Sequence, residues 1–156
     1  MRQRPHNDLL ADIEACFAPT AEPHICHYRV LYGDTDAGGV VYYANYLRFF
    51  ELGRTEFMRA RVLSYHEVEE QGLILPVVEC VCRYRKSARY DDLLRIESVL
   101  ADAGRASCRF LHRIFRQEDG ALLAFGGTRH APVDGKGRVR RFPPDLLAAL
   151  QRAVAR

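Results

Sequence analysis

The sequence predicts an α+β domain in which one long helix packs against an antiparallel β-sheet. Two features of the 156-residue chain predict it. A single stripe of apolar residues at helical spacing lies between residues 45 and 61, and four strand-like runs separated by short turns fill the second half of the chain. A chain of this length holds one hydrophobic core, so we expect helix and sheet to share it.

The first half of the chain is predicted to contain two helices and one strand. Apolar residues recur at intervals of three and four from Asn7 to Phe17, which indicates a short amphipathic helix, and alternation from His24 to Tyr32 indicates a strand. The principal helix runs from Asn45 to about Arg61. Glycine costs about 1 kcal/mol relative to alanine inside a helix, so Gly53 indicates that the backbone of a sheet approaches closely there. The apolar stripe comprises Tyr46, Phe49, Phe50, Gly53, Phe57 and Ala60.

The second half is predicted to form four strands followed by a helix. Short turns separate the strands, which favours antiparallel neighbours, and Asp119-Gly120 is a strong hairpin signal. Asp134-Gly135 is expected to end the last strand in the same way. The strand-like runs are Ile74 to Arg85, Leu93 to Leu100, Ala106 to Arg116 and Ala121 to Val133, and the final helix runs from Pro144 to Ala155.

The predicted elements group into three parts. We expect an N-terminal helical extension over residues 1–22, the main domain over residues 23–142, and a C-terminal helix over residues 143–156 that packs on the domain. One helix and one long sheet leave a sheet face and edges that so short a chain cannot cover. We therefore expect a homo-oligomer, with a homodimer and a homotetramer built from two dimers both open.

Composition and charge exclude several classes of protein. The net charge is only +3 and the basic residues are spread along the chain, so no nucleic-acid partner is predicted. The start of the chain lacks the apolar run of a secretion signal, and no segment reaches the roughly 18 apolar residues of a membrane span. We expect a cytoplasmic protein without an integral membrane segment, whose five cysteines stay reduced and do not form a zinc site.

The segment from Tyr32 to Tyr46 carries the candidate chemistry. It combines Asp34 and Asp36 with Gly38, Gly39 and the start of the principal helix. Free backbone amides at a helix start can hold an oxyanion, and a carboxylate beside them can attack a carbonyl or activate water against it. Acyl transfer is one interpretation. The alternative is that both aspartates are only turn and capping residues.

The run RVLYGDTDAGGVVYYANY, from Arg29 to Tyr46, is followed by Phe50-Glu51 and Arg54-Thr55-Glu56. This pattern closely resembles the signature of the 4-hydroxybenzoyl-CoA thioesterase family and, within it, the YbgC type of acyl-CoA thioesterase. The resemblance extends from about His24 to Pro132. It implies a hotdog fold, in which a curved antiparallel sheet wraps a long helix, and a dimer with its active sites at the subunit boundary. It also implies an acyl-CoA substrate and no metal or organic cofactor.

The resemblance also implies roles for individual residues. Asp36 is expected to be catalytic, as nucleophile or general base, and the backbone amide of Tyr43 is expected to polarise the thioester carbonyl. Asp34 is expected to be structural. Many YbgC-type relatives have histidine at the Tyr43 position, whereas the hydroxybenzoyl type has an aromatic residue there. A histidine-assisted mechanism is therefore not expected here.

Further residues are expected to contact the substrate. Tyr32 and Tyr46 are candidates for the acyl group, with a place in the core as the alternative. Glu51 is a second candidate base, with an ion pair to Arg54 or Arg48 as the alternative. The basic cluster from Arg83 to Tyr90, which also contains aromatic residues, is expected to meet the phosphates of coenzyme A, with a solvated strand end as the alternative. The full set of expected binding residues is Tyr32, Gly39, Val40, Val41, Tyr46, Glu51, Lys86, Ser87 and Arg89.

Taken together, the residues and the resemblance predict an acyl-CoA thioesterase that releases a free carboxylic acid and coenzyme A. An acyl-carrier-protein thioester would need the same chemistry and is the nearest alternative. A non-catalytic hotdog scaffold that binds acyl-CoA or another protein is the alternative from a different class. Such a scaffold would keep the sheet but would not need Asp36.

Overall fold

One long helix packs on a five-stranded antiparallel sheet in the computed structural model, which describes residues 13, 15–17 and 22–155. The α+β class is confirmed. The principal helix has the predicted bounds, and the four later strands lie within the predicted runs or extend them by a few residues. In chain order the elements are β1 (His24–Arg29), α1 (Asn45–Arg61), α2 (Tyr65–Glu70), β2 (Val77–Tyr84), β3 (Leu93–Ala103), β4 (Cys108–Arg116), β5 (Leu122–His130) and α3 (Pro144–Ala153).

The strand order across the sheet is β1-β3-β4-β5-β2, and every pair of neighbours is antiparallel. The predicted neighbours β3–β4 and β4–β5 are confirmed, and Gly120 in the hairpin between β4 and β5 has φ of 66°. The prediction that β2 and β3 are also neighbours is wrong, because β2 pairs with β5 at the far edge. The turn between β2 and β3 instead contacts the end of β1, because Val30 exchanges backbone hydrogen bonds with Asp91 and Asp92.

The buried face of α1 matches the predicted stripe except at its end. Tyr46, Phe49, Phe50, Gly53 and Phe57 are buried as expected, whereas Ala60 is exposed and Met58 is buried in its place. A Cβ atom on Gly53 would lie 2.8 Å from Cγ2 of Ile96 and closer still to Oγ of Ser98. The sheet thus approaches the helix at this point as predicted, but through side chains of β3 rather than through its backbone.

The structure departs from the sequence-based expectations in three local features. The first strand ends at Arg29 because Tyr32–Asp34 forms a single 3₁₀ turn. Helix α2 was not predicted, although Ser64 and Glu67 form a capping box that marks its start. The turn after β5 has its positive φ, 76°, at Gly137 and not at Gly135.

The two terminal segments bury apolar residues in two places. One lies on the sheet face opposite α1, and the other lies at the C-terminal end of α1. Leu146 and Leu150 of α3 are buried in a cluster with Phe57 and Leu100. The predicted helix from Asn7 to Phe17 lies mostly outside the described residues, but Ile13 and Phe17 are buried with Val99, Leu111 and Phe125. In the described part of the chain, no helix has both the length and the apolar character needed to cross a membrane.

Candidate active site

The loop between β1 and α1 folds back on itself and presents Asp36. Thr35 and Val41 form an antiparallel bridge, the Asp36 amide donates to the Val40 carbonyl at 2.9 Å, and the Gly39 amide donates to the Asp36 carbonyl at 3.0 Å. Gly39 has φ of 75°, a conformation that favours glycine. The Val41 amide then ties the loop to the Ala88 carbonyl at 2.8 Å. The loop is therefore held against the segment that follows β2.

Asp34 is buried beneath this loop, with 3% of its surface exposed. Its carboxylate accepts hydrogen bonds from the Leu31 amide at 2.8 Å, the Tyr28 hydroxyl at 2.7 Å and the Arg48 guanidinium at 3.1 Å. Its carbonyl accepts from the Tyr42 amide and from Nδ2 of Asn45. Burial by itself would raise the pKa of Asp34, but the three donors outweigh it and hold the pKa below its usual value. Asp34 thus joins β1, the loop and the start of α1.

Asp36 has a different environment two residues away. Its side chain is exposed, and Oδ1 accepts one hydrogen bond from the Gly38 amide at 2.8 Å. The second carboxylate oxygen, Oδ2, accepts no hydrogen bond from the described residues. This carboxylate is held in one orientation by the Gly38 amide and still has an oxygen available for chemistry.

The start of α1 lies beside the loop and offers backbone donors. The Tyr42 amide donates to the Asp34 carbonyl and the Asn45 amide donates to the Tyr42 carbonyl, both at 2.9 Å. Within the described part of the chain, the amides of Tyr43 and Ala44 donate no hydrogen bond. A helix start also carries a partial positive charge from the aligned peptide dipoles. An oxyanion placed here would therefore find both donors and a favourable field.

A pocket of about 250 Å³ brings the loop, the helix start and the end of β2 together. Seven of the residues predicted from the sequence line it, and the structure adds Tyr84 and Arg85. These two were present in the basic and aromatic cluster around Lys86, but local spacing did not distinguish pocket-lining members from the rest. The pocket is lined by Asp36, Val40, Val41, Tyr43, Tyr46, Tyr84, Arg85, Lys86 and Ser87.

Tyr46 belongs to both the core and the pocket. Only 2% of its surface is exposed, and its hydroxyl accepts a hydrogen bond from the Ala88 amide at 3.1 Å. Its ring meets the rings of Phe49 and Tyr84 edge to face, with centroids 5.7 and 5.3 Å away. Tyr46 therefore fits both interpretations left open by the sequence, a place in the core and a place in the pocket wall.

Four predicted binding residues do not line this pocket. Gly39 lies at the turn of the loop, and Tyr32 is 79% exposed with its ring against Tyr90. Glu51 is exposed on α1, and the Arg89 amide caps the turn by donating to Oδ2 of Asp92 at 2.8 Å. A contact between these residues and the substrate stays a prediction.

The alternative role for Glu51, an ion pair with Arg48 or Arg54, is not formed in the structure. Arg48 contacts Asp34, and Arg54 hydrogen-bonds to His130 at 2.8 Å. Among the described residues, no group of three His, Cys, Asp or Glu side chains is arranged to hold a metal ion.

A second cavity, of about 580 Å³, lies between α1, β3 and α3 and shares no residue with the first. Phe57, Val62 and Val99 contribute apolar walls, and Arg61 and Arg152 are its basic residues. It contains no helix start or aspartate comparable with the Asp36 loop. The smaller pocket is therefore the candidate active site.

Known proteins resemble this chain in both sequence and structure. Residues 30–150 match the thioesterase-like superfamily. The acyl-CoA thioesterase YbgC of Haemophilus influenzae is 39% identical over 123 residues, which cover 78% of this chain and 89% of that protein. The 4-hydroxybenzoyl-CoA thioesterase of a Pseudomonas species is 30% identical over 95 residues, covering 59% of this chain and 67% of that protein. The crystal structure of a DHNA-CoA thioesterase from Staphylococcus aureus has a TM-score of 0.79 at 27% identity, covering 83% of this chain and 89% of that one. The structural likeness confirms the hotdog fold.

Proposed function

This chain belongs to the thioesterase-like superfamily and is a thioester hydrolase, and we propose that it cleaves acyl-CoA to a free carboxylic acid and coenzyme A with Asp36 as the reacting carboxylate. The observation that carries the proposal is the position of Asp36. Asp36 lines the same pocket as Tyr43 at the start of α1, where the Tyr43 amide donates no hydrogen bond within the described part of the chain. The proposed reacting carboxylate and the proposed oxyanion donor thus belong to residues of one pocket.

Two routes use the same carboxylate. As a general base, Asp36 takes a proton from water while the water oxygen attacks the thioester carbon. As a nucleophile, an Asp36 oxygen attacks that carbon to give a mixed anhydride, which water then hydrolyses. In both routes the carbonyl oxygen becomes negatively charged and accepts a hydrogen bond from the Tyr43 amide, and the carbon–sulfur bond breaks to release coenzyme A. No metal or organic cofactor takes part in either route.

The basic wall of the pocket is proposed to hold the coenzyme A portion. Arg85, Lys86 and Ser87 line the pocket immediately after β2, and their side chains are exposed to solvent. The amides of Arg85 and Lys86 both donate to the Leu123 carbonyl, at 2.7 and 3.1 Å, so the backbone of this segment is fixed. Positive charges on a fixed backbone suit the phosphates of coenzyme A.

We also propose a homodimer formed through the edge strand β2. Val77 and Val78 on this edge are 50% and 56% exposed, and Tyr84 at its end lines the pocket. An exposed apolar edge strand is a ready partner for a second copy. Assembly there would place the partner beside each pocket. A further pairing to a tetramer and a cytoplasmic location are parts of the same proposal.

The test is a hydrolysis panel with a matched pair of variants. Short, long and aromatic acyl-CoAs and an acyl-carrier-protein thioester are offered to the wild type, to Asp36→Asn and to Asp34→Asn, and release of free thiol is measured. We expect Asp36→Asn to lower kcat by about 10²- to 10⁴-fold while the protein stays folded, because it loses the base or nucleophile but no packing. Near-normal activity of Asp36→Asn would overturn the assignment. Activity only on acyl-carrier-protein thioesters would identify that alternative, and activity on no thioester would favour the scaffold.

A further inference from the structure

The hydroxyl of Tyr84 makes a contact across the pocket that none of the proposed chemistry uses. Tyr84 ends the edge strand β2, and its hydroxyl donates a hydrogen bond to the backbone carbonyl of Tyr43 at 2.9 Å. The two residues are 41 positions apart in sequence. This bond therefore joins the edge of the sheet to the start of α1 at the point where the proposed oxyanion donors lie.

The Tyr43 carbonyl depends on this bond for its orientation. Its helical partner is the Tyr46 amide, which lies 3.4 Å away, at the limit of a hydrogen bond. The Tyr84 hydroxyl is half an ångström closer, as the 2.9 and 3.4 Å distances show. The Tyr43 side chain is 62% exposed and packs on the ring of the adjacent Tyr42, with centroids 4.6 Å apart, so it is not anchored in the core. The phenol is thus the stronger of the two contacts that hold the carbonyl.

The same peptide unit carries a free donor on its other side. The Tyr43 carbonyl and the Ala44 amide belong to one planar group, so fixing the oxygen also fixes the direction of the N–H bond. The preceding unit is held in the same manner, because the Tyr42 carbonyl accepts from the Asn45 amide at 2.9 Å. A hydrogen bond to a peptide carbonyl also strengthens the N–H of that peptide as a donor. Two successive amides, of Tyr43 and Ala44, are thereby oriented together.

Two features allow the Tyr84 hydroxyl to hold the Tyr43 carbonyl, namely the packing of its ring and its retained proton. Its ring packs edge to face on the buried ring of Tyr46, with centroids 5.3 Å apart. Partial burial and the neighbouring Cys82 thiol raise the pKa of Tyr84 above its usual value, so the hydroxyl keeps its proton at neutral pH. It can therefore act as a hydrogen-bond donor across the working pH range of an enzyme.

We propose that Tyr84 is a positioning residue, whose hydroxyl holds the Tyr43–Ala44 peptide so that the amides of Tyr43 and Ala44 both face the oxygen of the reacting carbonyl. The inference rests on the proposed function and adds to it a second oxyanion donor and the side chain that orients the pair. Tyr84 does not touch the reacting atoms. Its effect is largest in the transition state, because the carbonyl oxygen carries more negative charge there than in the bound thioester.

Steady-state kinetics of Tyr84→Phe provide the first test. The phenylalanine ring keeps the contact with Tyr46 and loses only the hydroxyl. One neutral hydrogen bond is worth about 0.5 to 1.5 kcal/mol, so we expect kcat on benzoyl-CoA and hexanoyl-CoA to fall about three- to tenfold with KM within twofold. Tyr65→Phe is the matched control, since its hydroxyl is buried beside Arg54 and outside the pocket, and it should leave both constants unchanged.

An infrared measurement distinguishes positioning from general support of the fold. Benzoyl-CoA labelled at the thioester carbon is bound to Asp36→Asn, which is expected to turn it over only slowly, and to the double variant Asp36→Asn with Tyr84→Phe. Donors that face the carbonyl lower its stretching frequency, so we expect a shift to lower frequency in the first protein and a smaller shift in the second. Equal shifts, or an unchanged kcat in Tyr84→Phe, would overturn the positioning role. Full activity of Asp36→Asn would overturn the proposed function instead.

Discussion

Asp34 and Asp36 lie two residues apart on the same loop, yet only Asp34 has its carboxylate buried and bonded to three donors. Asp34 accepts hydrogen bonds from Leu31, Tyr28 and Arg48, whereas Asp36 accepts one from Gly38 and opens to the pocket. Asp34 ends the 3₁₀ turn beneath the loop, whereas Asp36 follows the Thr35–Val41 bridge in the exposed part of the loop. Substitution of Asp34 should therefore mainly lower stability, whereas substitution of Asp36 should mainly lower catalytic activity.

Asp34→Asn should destabilise the protein by about 2 to 3 kcal/mol, because it removes a buried charged acceptor from its donors. Asp36→Asn should leave stability within about 0.5 kcal/mol, since the residue is exposed. Urea unfolding of both variants checks this. The pKa of Asp34 is lowered in the folded state, so its contribution is present above the unfolded-state pKa and is lost as pH falls through the folded one. A stable Asp34→Asn protein would contradict the structural role.

Tyr43→Phe tests whether the backbone or the phenol of Tyr43 takes part in catalysis. Only the amide of Tyr43 is proposed to act, and phenylalanine would keep the contact of its 62% exposed side chain with the Tyr42 ring. We expect kcat/KM to stay within about threefold of the wild-type value, which is less than 1 kcal/mol. A loss of a hundredfold in the same acyl-CoA assay would instead implicate the hydroxyl.

Lys86→Ala tests the proposed phosphate contact. Lys86 would bind a part of the substrate remote from the reacting carbonyl, so its loss should raise KM for acyl-CoA several-fold and change kcat little. Added salt should have the same effect on the wild type, because exposed charges are screened over about 8 to 10 Å at ordinary ionic strength.

Two controls isolate that contact. An acyl-pantetheine lacks the nucleotide phosphates, so its hydrolysis should hardly respond to Lys86→Ala. Arg141→Ala removes one positive charge from an exposed position that does not line the pocket, and it should leave KM for acyl-CoA unchanged. Equal losses on both substrates would show that Lys86 supports the fold and that the phosphates bind elsewhere.

Two buried histidines should make the protein sensitive to acid. His112 contacts Ser98 at 2.8 Å and His130 contacts Thr128 at 2.8 Å, and both are fully buried. Burial, together with the Arg54 guanidinium nearby, lowers the pKa of His112 to about 3 and that of His130 to about 4. Unfolded histidine binds a proton at about pH 6.5, so the unfolded state takes up protons first. Stability is therefore complete above about pH 6.5 and declines as the pH falls below it.

The measurement is the free energy of unfolding in urea at pH 7, 6 and 5. Each histidine should contribute a slope of about 1.4 kcal/mol per pH unit below its unfolded-state pKa, and His112→Gln or His130→Gln should remove one such contribution. His66→Gln, at a position whose side chain is 81% exposed, serves as the control for a loss of histidine without burial. A pH slope unchanged by the buried substitutions would contradict the assignment of neutral, buried histidines.

The sequence alone determined the features that depend on neighbours along the chain. Helical periodicity predicted the bounds of α1 and five of its buried residues, and Asp119-Gly120 predicted the hairpin between β4 and β5. The loop carrying Asp36 was recognisable because its residues follow one another directly. The short helix α2 was predictable in principle from its Ser64–Glu67 capping box, but six residues carry too little periodicity to reveal it.

Only the tertiary structure decided which distant segments meet. It placed β2 at the edge beside β5 instead of beside β3, and so brought Tyr84 to the Tyr43 carbonyl across 41 residues. It also separated Lys86, which lines the pocket, from Arg89, whose amide caps a turn three residues later. Strand pairing and pocket walls follow from how the whole sheet packs its side chains on α1. The free energy of this packing is shared among contacts that are far apart in sequence. The spacing of residues along the chain therefore does not reveal it.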